Sequence, residues 1–405
     1  MAILSDIACF VEDKVRSSDI ELSYYITTDC ILPNKQGRTI AQNLPPQECS
    51  LTRYTKSDVL IANIRPYLKK IWYADCEGGC SNDVLVLRVL PNHSSAFLFA
   101  ALSNDRFFDY VMMGTKGSKM PRGDKDQIMR YKIPMMMTYN EEESIGRMIL
   151  SIERKIKTNQ EINHNLEAMA KQLYDYWFVQ FDFPNADGKP YKSSGGKMVW
   201  NVKLKRYIPE GWECKNLLDI AIFTNGLACQ KYRPTTEAKL PVIKIREMHD
   251  GFTTDTEWVK ADIPDSVKIF NGDVLFSWSA SLEVMLWCFG EGGLNQHIFK
   301  VTGKNGFPRS YYYYQLKDYV NVFKAIAEAR KTTMGHITQD HLQQSTIAVP
   351  PTTELPILLE KKIAPLFEQI ITLQEENAHL VKLRDELLPL LMNGQVSVNY
   401  DLSAD

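Results

Sequence analysis

The sequence predicts an α+β protein: two similar globular modules joined by two long antiparallel coiled-coil helices in a pseudo-two-fold arrangement. Three observations carry that prediction. Asn159-Gln160-Glu161-Ile162-Asn163-His164-Asn165-Leu166 returns 214 residues later as Leu373-Gln374-Glu375-Glu376-Asn377-Ala378-His379-Leu380. Upstream, Asp58-Val59-Leu60 and Glu77-Gly78-Gly79 return as Asp273-Val274-Leu275 and Glu291-Gly292-Gly293 at nearly the same offset. Each copy of the first motif lies in a heptad-patterned stretch of roughly 40 residues, long enough for a coiled-coil seam. A period near 215 residues far exceeds the roughly 20–50 residues of solenoid repeats. The duplicated unit is therefore a globular domain together with its helix.

The first module reads as short strands, 58–64 and 83–90 among them, punctuated by Gly, Pro and Asn. A helix is expected over 96–112, followed by a basic, glycine-containing loop at 114–123. The first long helix, 141–181, opens on three glutamates, where the helix dipole favours negative charge. Its seam runs through Ile145, Ile149, Ile152, Ile156, Asn159, Asn163, Leu166, Ala170, Leu173 and Trp177. A Gly-, Ser-, Lys- and Pro-rich linker follows. The second module repeats the plan: strand 273–278, a hairpin turn at Glu291-Gly292-Gly293, strand 296–301, helix 311–330, loop 331–339. The second long helix, 354–392, has Leu359, Ile363, Leu366, Ile370, Leu373, Asn377, Leu380, Arg384, Leu387 and Leu391 at matching steps, and Asn393-Gly394 stops it. The chain thus divides into a first module (1–140), a first helix (141–183), a linker (184–206), a second module (207–351), a second helix (352–394) and a tail (395–405).

Forty helical residues span roughly 60 Å at 1.5 Å per residue. Asn163 and Asn377 occupy equivalent seam positions near the middle of their helices. Opposed across an antiparallel pair, their buried amides would fix its register; otherwise they face solvent.

At 405 residues, 44% hydrophobic and 24% charged, the chain can fill two cores of ordinary size. No run of about 18 apolar residues suits a membrane span, and the start lacks a signal peptide's basic region and apolar core, so a cytoplasmic location is expected. Of eight cysteines only Cys76 and Cys80 are close, with no second pair to complete a zinc site; buried thiols, and no metal, are expected. The net charge of −2 lacks the basic footprint of a nucleic-acid binder, yet charge is uneven. Residues 111–133 carry six cations against two aspartates, and 186–207 carry six against one. Either stretch could be only a solvated face.

Catalytic constellations are missing. There is no phosphate-binding Gly-x-x-x-x-Gly-Lys-Ser/Thr and no strand-linked Gly-x-Gly-x-x-Gly. Pro45-Pro46 and Pro350-Pro351 are followed by Gln47 and Thr352, unlike the Pro-Pro-aromatic tetrapeptide of adenine methyltransferases. Glu153-Arg154-Lys155 has a nuclease-like spacing but lies on the long helix without a partner aspartate.

Asp273-Val274-Leu275-Phe276-Ser277-Trp278-Ser279-Ala280-Ser281-Leu282-Glu283-Val284, then Leu294-Asn295-Gln296-His297-Ile298-Phe299-Lys300-Val301, closely resembles the target recognition domain of the specificity subunit of type I restriction-modification systems. Ile64-Arg65-Pro66-Tyr67-Leu68-Lys69-Lys70 resembles the corresponding segment of other members. So do the module exits Ile133-Pro134 and Val349-Pro350, and Tyr174-Asp175-Tyr176-Trp177-Phe178 followed by Phe181-Asp182-Phe183-Pro184. The resemblance covers nearly the whole chain, with little recognisable over 13–57. It implies two target recognition domains, each reading half of a split site in double-stranded DNA, and two conserved helices, central and C-terminal, that set the gap. It also implies a non-catalytic chain in a restriction endonuclease and adenine-N6 methyltransferase complex. Two methyltransferase subunits would use S-adenosylmethionine, and restriction or translocase subunits ATP and magnesium. A coiled-coil adaptor with two protein-binding heads, which the near-neutral charge suits, and a specificity-type subunit of a related phage-defence system are the alternatives.

Under this resemblance, cations would hold phosphates while amides and hydroxyls read bases. In the first module the candidates are Arg65, Tyr67 and Lys69 after the strand, and Lys116, Ser118, Lys119 and Arg122 in the basic loop. In the second they are Ser277, Trp278, Ser279 and Ser281, with Lys331, Thr332, Thr333, His336, Thr338 and Gln339 in the corresponding loop. Trp278 could equally be core, and Arg65 could pair with a carboxylate.

Overall fold

The computed structural model describes residues 2–115, 117, 119–133, 138–279, 281–329 and 337–396. The chain forms two compact units, Met1–Thr158 with His379–Asp405, and Asn159–Ala378.

The first unit runs β1 (Ala2–Ile3), α1 (Leu4–Ile7), β2 (Ala8–Phe10), β3 (Lys14–Arg16), β4 (Tyr25–Ile26), β5 (Ser50–Tyr54), β6 (Val59–Ala62), β7 (Ile71–Tyr73), β8 (Gly78–Cys80) and β9 (Val84–Val89). Then come α2 (Ser95–Leu102), α3 (Asp105–Met113), α4 (Lys125–Met129), β10 (Lys132–Ile133) and α5 (Tyr139–Tyr174), which belongs to this unit as far as Thr158. One sheet has the antiparallel order β2-β9-β6-β7, the other β3-β5-β8-β4 with β4 and β8 parallel.

Strand alternation sorts the core. Val59, Ile61, Leu85 and Leu87 face one apolar cluster with α2 and α3, while Leu60, Val84 and Val86 face a second cluster over the other sheet. Strands buried on both faces need continuous apolar runs, as Val59–Ala62 of β6 and Val84–Leu87 of β9 provide. The run expected as one helix over 96–112 is two: Asn104 Oδ1 accepts the Arg106 N–H (3.0 Å) and caps α3, while the Ser103 hydroxyl donates to the Phe99 carbonyl (2.8 Å). The acidic start of α5 has a further use. Glu142 accepts the Ser94 N–H (2.8 Å) and Glu143 the Ser94 hydroxyl (2.6 Å), anchoring the cap of α2.

The second unit runs β11 (Met198–Asn201), β12 (Arg206–Pro209), β13 (Glu213–Lys215), α6 (Leu217–Ile220), β14 (Ala221–Asn225), β15 (Lys239–Ile243), α7 (Ile245–Asp250), β16 (Trp258–Lys260), β17 (Lys268–Ile269), β18 (Val274–Ser277), β19 (Glu283–Leu286), β20 (Gly292–Leu294) and β21 (Ile298–Gly303). It closes with α8 (Arg309–Ala329), α9 (Gln339–Gln343), β22 (Ile347–Val349) and α10 (Glu354–Met392), the last belonging here as far as Ala378. Its sheet β14-β21-β18-β19 repeats β2-β9-β6-β7 strand for strand, while β16-β15-β20-β17 shares three strands with β3-β5-β8-β4. Alternation recurs: Val274, Phe276, Phe299 and Val301 line one core, Leu275 and Ile298 the other. The entry repeats too, Leu4-Ser5-Asp6-Ile7-Ala8 returning as Leu217-Leu218-Asp219-Ile220-Ala221 on α1 and α6.

Two expectations are corrected. The Gly-Gly pairs are not hairpin turns but lie in β8 and β20, inner strands of their sheets. A Cβ on Gly78 would stand 2.2 Å from the Tyr24 carbonyl oxygen, and one on Gly293 2.7 Å from Val259, so glycine is required by close approach. The asparagines also pair differently: Asn159 Nδ2 donates to Asn377 Oδ1 (3.0 Å), and Asn163 Nδ2 donates to the Ile370 carbonyl (3.4 Å). Equivalent residues of an antiparallel pair meet only at its midpoint, and these contacts put it near Glu161 and Glu375, about two residues from the asparagines. The residue 214 beyond Asn159 is Leu373, which has no amide to offer Asn163.

In the first unit α5 and α10 meet through Glu153 and Arg384. Arg384 sits on the seam, its side chain only 4% exposed, with NH1 2.8 Å from Glu153 Oε1 and Nε 2.9 Å from Asp385 Oδ1. Burial alone would depress the guanidinium; the two carboxylates outweigh it and hold its pKa above the ordinary value. Glu153→Ala, leaving the cation buried and unpaired, is expected to cost roughly 3 kcal/mol in urea unfolding, and Glu153→Leu with Arg384→Met to be neutral or stabilising. Equal losses in both would show that packing, not charge compensation, governs this contact.

Candidate nucleic-acid interface

Beyond β6 the chain makes one tight turn, Pro66–Leu68, bracketed by Arg65 (φ 53°) and Lys69 (φ 51°) in the left-handed region. Such non-glycine residues cost of order 1–3 kcal/mol each and persist only where their surroundings hold them. Here two loops do so. The Arg65 N–H donates to the Pro121 carbonyl (2.8 Å) and the Gly123 N–H to the Asn63 carbonyl (3.1 Å), tying down the basic loop. On the other side Asn34 and Lys35 donate their N–H groups to the carbonyls of Leu68 (2.9 Å) and Lys69 (3.0 Å).

Arg65 and Lys119 are exposed, and Tyr67 is 51% exposed. Arg122 is exposed and lies 3.1 Å from Asp83, a surface pair worth at most about 1 kcal/mol and easily exchanged for a phosphate. Lys69 is committed: its Nζ is 2.7 Å from Asp105 Oδ2, while the buried Lys35 reaches Asp105 Oδ1 at 2.9 Å and Asp385 Oδ1 at 3.3 Å. Lys69 therefore positions the turn rather than offering a free cation. Lys116 and Ser118 lie outside the described residues.

In the second unit the corresponding strand, β18, ends at Ser277, which is buried and donates its hydroxyl to the Ser281 carbonyl; Ser279 is buried as well. These two close the loop, and Ser281 is exposed. Trp278 is half-buried, Nε1 donating to Asn225 Oδ1 (3.2 Å), its ring beside His297 and Phe299 with centroids 5.6 and 6.0 Å away. The Ile337 N–H donates to the Trp278 carbonyl (3.0 Å), so in both units the loop after the long core helix is pinned to the exit of the same strand. Thr338 and Gln339 are exposed at the start of α9, with Thr338 N–H 3.0 Å from His341 Nδ1. Lys331, Thr332, Thr333 and His336 lie outside the described residues.

Sequence reasoning missed Lys35, Asn225 and His297. Pro33-Asn34-Lys35-Gln36-Gly37 does carry a turn signal, but nothing in it points to Asp105 or Asp385.

Burial alone would raise the Asp105 carboxyl; Lys35 and Lys69 outweigh it and hold the pKa below the ordinary 3.8. With a depressed folded value, the stabilisation is complete above pH 3.8 and drains away as pH falls through that lower value. Urea-unfolding midpoints should therefore fall more on acidification in the unaltered chain than in Asp105→Asn. Parallel falls would mean that the lysines do not act through this carboxylate.

Residues 209–383 match the family described as Type I restriction modification DNA specificity domain. The chain is 24% identical over 373 residues to the type I restriction enzyme MjaIX specificity subunit of Methanocaldococcus jannaschii, covering 87% of this chain and 80% of that one. It is also 24% identical over 441 residues to the HindI specificity subunit of Haemophilus influenzae, covering 92% and 94%. The crystal structure of a type I restriction-modification system S subunit from M. genitalium shares the fold, with TM-score 0.60 at 11% identity over 96% of this chain and 95% of that one. Among the described residues no helix is long and apolar enough to cross a membrane. In motif order and sequence the chain is thus similar to the specificity subunits of type I restriction-modification systems, and residues 209–383 match the DNA specificity domain family.

Proposed function

We propose that this chain is the DNA sequence-specificity subunit of a type I restriction-modification complex. Each unit reads one half of a split site in double-stranded DNA, and the α5–α10 pair sets the gap and docks two methyltransferase subunits. Catalysis resides in the partners: adenine methylation with S-adenosylmethionine in the methyltransferase subunits, ATP- and magnesium-dependent translocation and cleavage in the restriction subunits.

The observation that best supports this reading is the repeated pinning of a loop to a strand exit, Arg65 N–H to Pro121 O in one unit and Ile337 N–H to Trp278 O in the other. One scaffold presents different side chains at the same place, as two readers of different half-sites require. In the first unit Arg65, Lys119 and Arg122 are suited to phosphates or to the acceptor edge of guanine, with Tyr67 between them. In the second, Gln339 has the two-pronged amide that matches adenine, and Ser281 and Thr338 offer hydroxyls. Lys116, Ser118, Lys331, Thr332, Thr333 and His336 would complete the two loops.

Mapping adenine methylation in cells that express this chain with its cognate methyltransferase subunit should reveal a new split motif, absent without the chain. An assembled complex that creates none would favour an adaptor with two protein-binding heads. Inserting four residues beside Asn163 should change the gap between half-sites and leave both half-sequences intact. An unaltered gap would refute the spacer role.

A further inference from the structure

The second sheets of the two units share three strands, β5-β8-β4 and β17-β20-β15, and then differ. The first unit adds β3 beside β5; the second adds β16 beside β15, at the opposite edge. We propose that this added edge of the second unit, β15–β16 with the turn Cys229–Lys231, is a backbone clamp for duplex DNA flanking the bases read by the 277–281 loop. The clamp rests on the DNA-reading function proposed above and deepens it.

Its chemistry is that of a phosphate contact. Lys239 lies directly opposite Lys260 in the antiparallel register, an arrangement of like charges that normally weakens a sheet. Among the described residues no carboxylate pairs with either, although Glu257 takes Lys244 and Asp265 takes Lys268 nearby. Each lysine instead lies over an aromatic ring: Lys239 Nζ is 4.8 Å from the centroid of Trp258, and Lys260 Nζ 5.6 Å from that of Tyr232. A ring face holds an ammonium in place and leaves its protons free for phosphate oxygens. Alternation puts Lys239, Trp258 and Lys260 on the face away from the core, where Val259 is fully buried and Trp258 is 46% exposed.

This edge is continuous with the candidate reading surface. Asn225, which accepts from Trp278 Nε1, leads through Gly226 and Leu227, both hydrogen-bonded by their N–H groups to the sheet, into the turn and on to Tyr232. The Tyr232 carbonyl then accepts the Lys260 N–H (2.9 Å). On the other flank His249 Nε2 is 3.2 Å from Glu283 Oε2, two residues beyond Ser281. A duplex seated on Trp278 and Ser281 would thus continue over unpaired cations, with no matching strand in the first unit.

The test uses the chain assembled with its cognate methyltransferase subunits, on a duplex carrying the mapped split site and on an unrelated duplex, with affinity measured against salt. Lys239→Ala with Lys260→Ala should lower the slope of log Kd against log salt by about 1.8, at about 0.9 per lost phosphate contact, equally on both duplexes. Lys239→Arg with Lys260→Arg should keep the unaltered slope, which separates lost charge from lost folding. An unchanged slope in an alanine variant that still assembles and still selects its site overturns the clamp and leaves the specificity function standing. Loss of methyltransferase assembly with an unchanged slope also overturns it, and makes the edge a protein contact. If the unaltered complex shows no salt-sensitive binding to either duplex, the clamp and the proposed function fall together.

Discussion

Neither unit closes its core without the long helices, and the first must also draw on chain from beyond residue 378. The first buries Leu388, Leu391 and Met392 of α10 against helices and strands from its first 150 residues, and the second buries Ala170, Tyr174, Trp177 and Phe178 from the end of the first long helix and the turn beyond it. Each long helix therefore contributes to both units, α5 changing allegiance after Thr158 and α10 after Ala378. Heptad patterning alone would be satisfied by a free-standing coiled coil. The aromatic and aliphatic side chains at the helix ends make these two something else, a structural part of each core.

That dependence accounts for the polar groups on the seam. A purely apolar interface between two long helices can slide by a turn at small cost, and every core residue carried on the helices would slide with it. The Asn159–Asn377 hydrogen bond in one unit and the Arg384–Glu153 ion pair in the other form in one register only. In the first unit the restraint extends further: Asp385 holds Lys35, Lys35 and Lys69 share Asp105, and Lys69 ends the strained turn that presents Arg65 and Tyr67.

Much of this was legible in the sequence wherever periodicity carried the signal. The bounds of α10 and the pairs β6/β9 and β18/β21 follow from apolar spacing, because one or two buried faces impose a period. What escaped had local sequence compatible with two structures. A Gly-Gly pair suits a turn as well as a strand crowded by Tyr24 or Val259. Asn163 and Asn377 are equivalent by repeat, and only the location of the midpoint reveals that Asn377 faces Asn159. Of the candidate contacts, Arg65, Tyr67, Lys119, Arg122, Ser281, Thr338 and Gln339 reach the surface, whereas burial turns Ser277 and Ser279 inward and an ion pair occupies Lys69. Lys35 and Asp385, 350 residues apart, carry no signal of each other in their neighbours.

The discontinuity of the first unit also bears on how the chain is made. Its sheets and helices α1 to α4 leave the ribosome more than 200 residues before the residues that join their core from α10, Leu388, Leu391 and Met392. At roughly 5–20 residues per second, the interval from the end of the first unit's N-terminal part to its closing helix is on the order of 10–50 s. During it the apolar cluster that Leu388, Leu391 and Met392 complete is left unfinished. Nascent-chain chaperones, or an early-bound partner, would have to shield it, and a chain truncated before α10 should be insoluble through its N-terminal half.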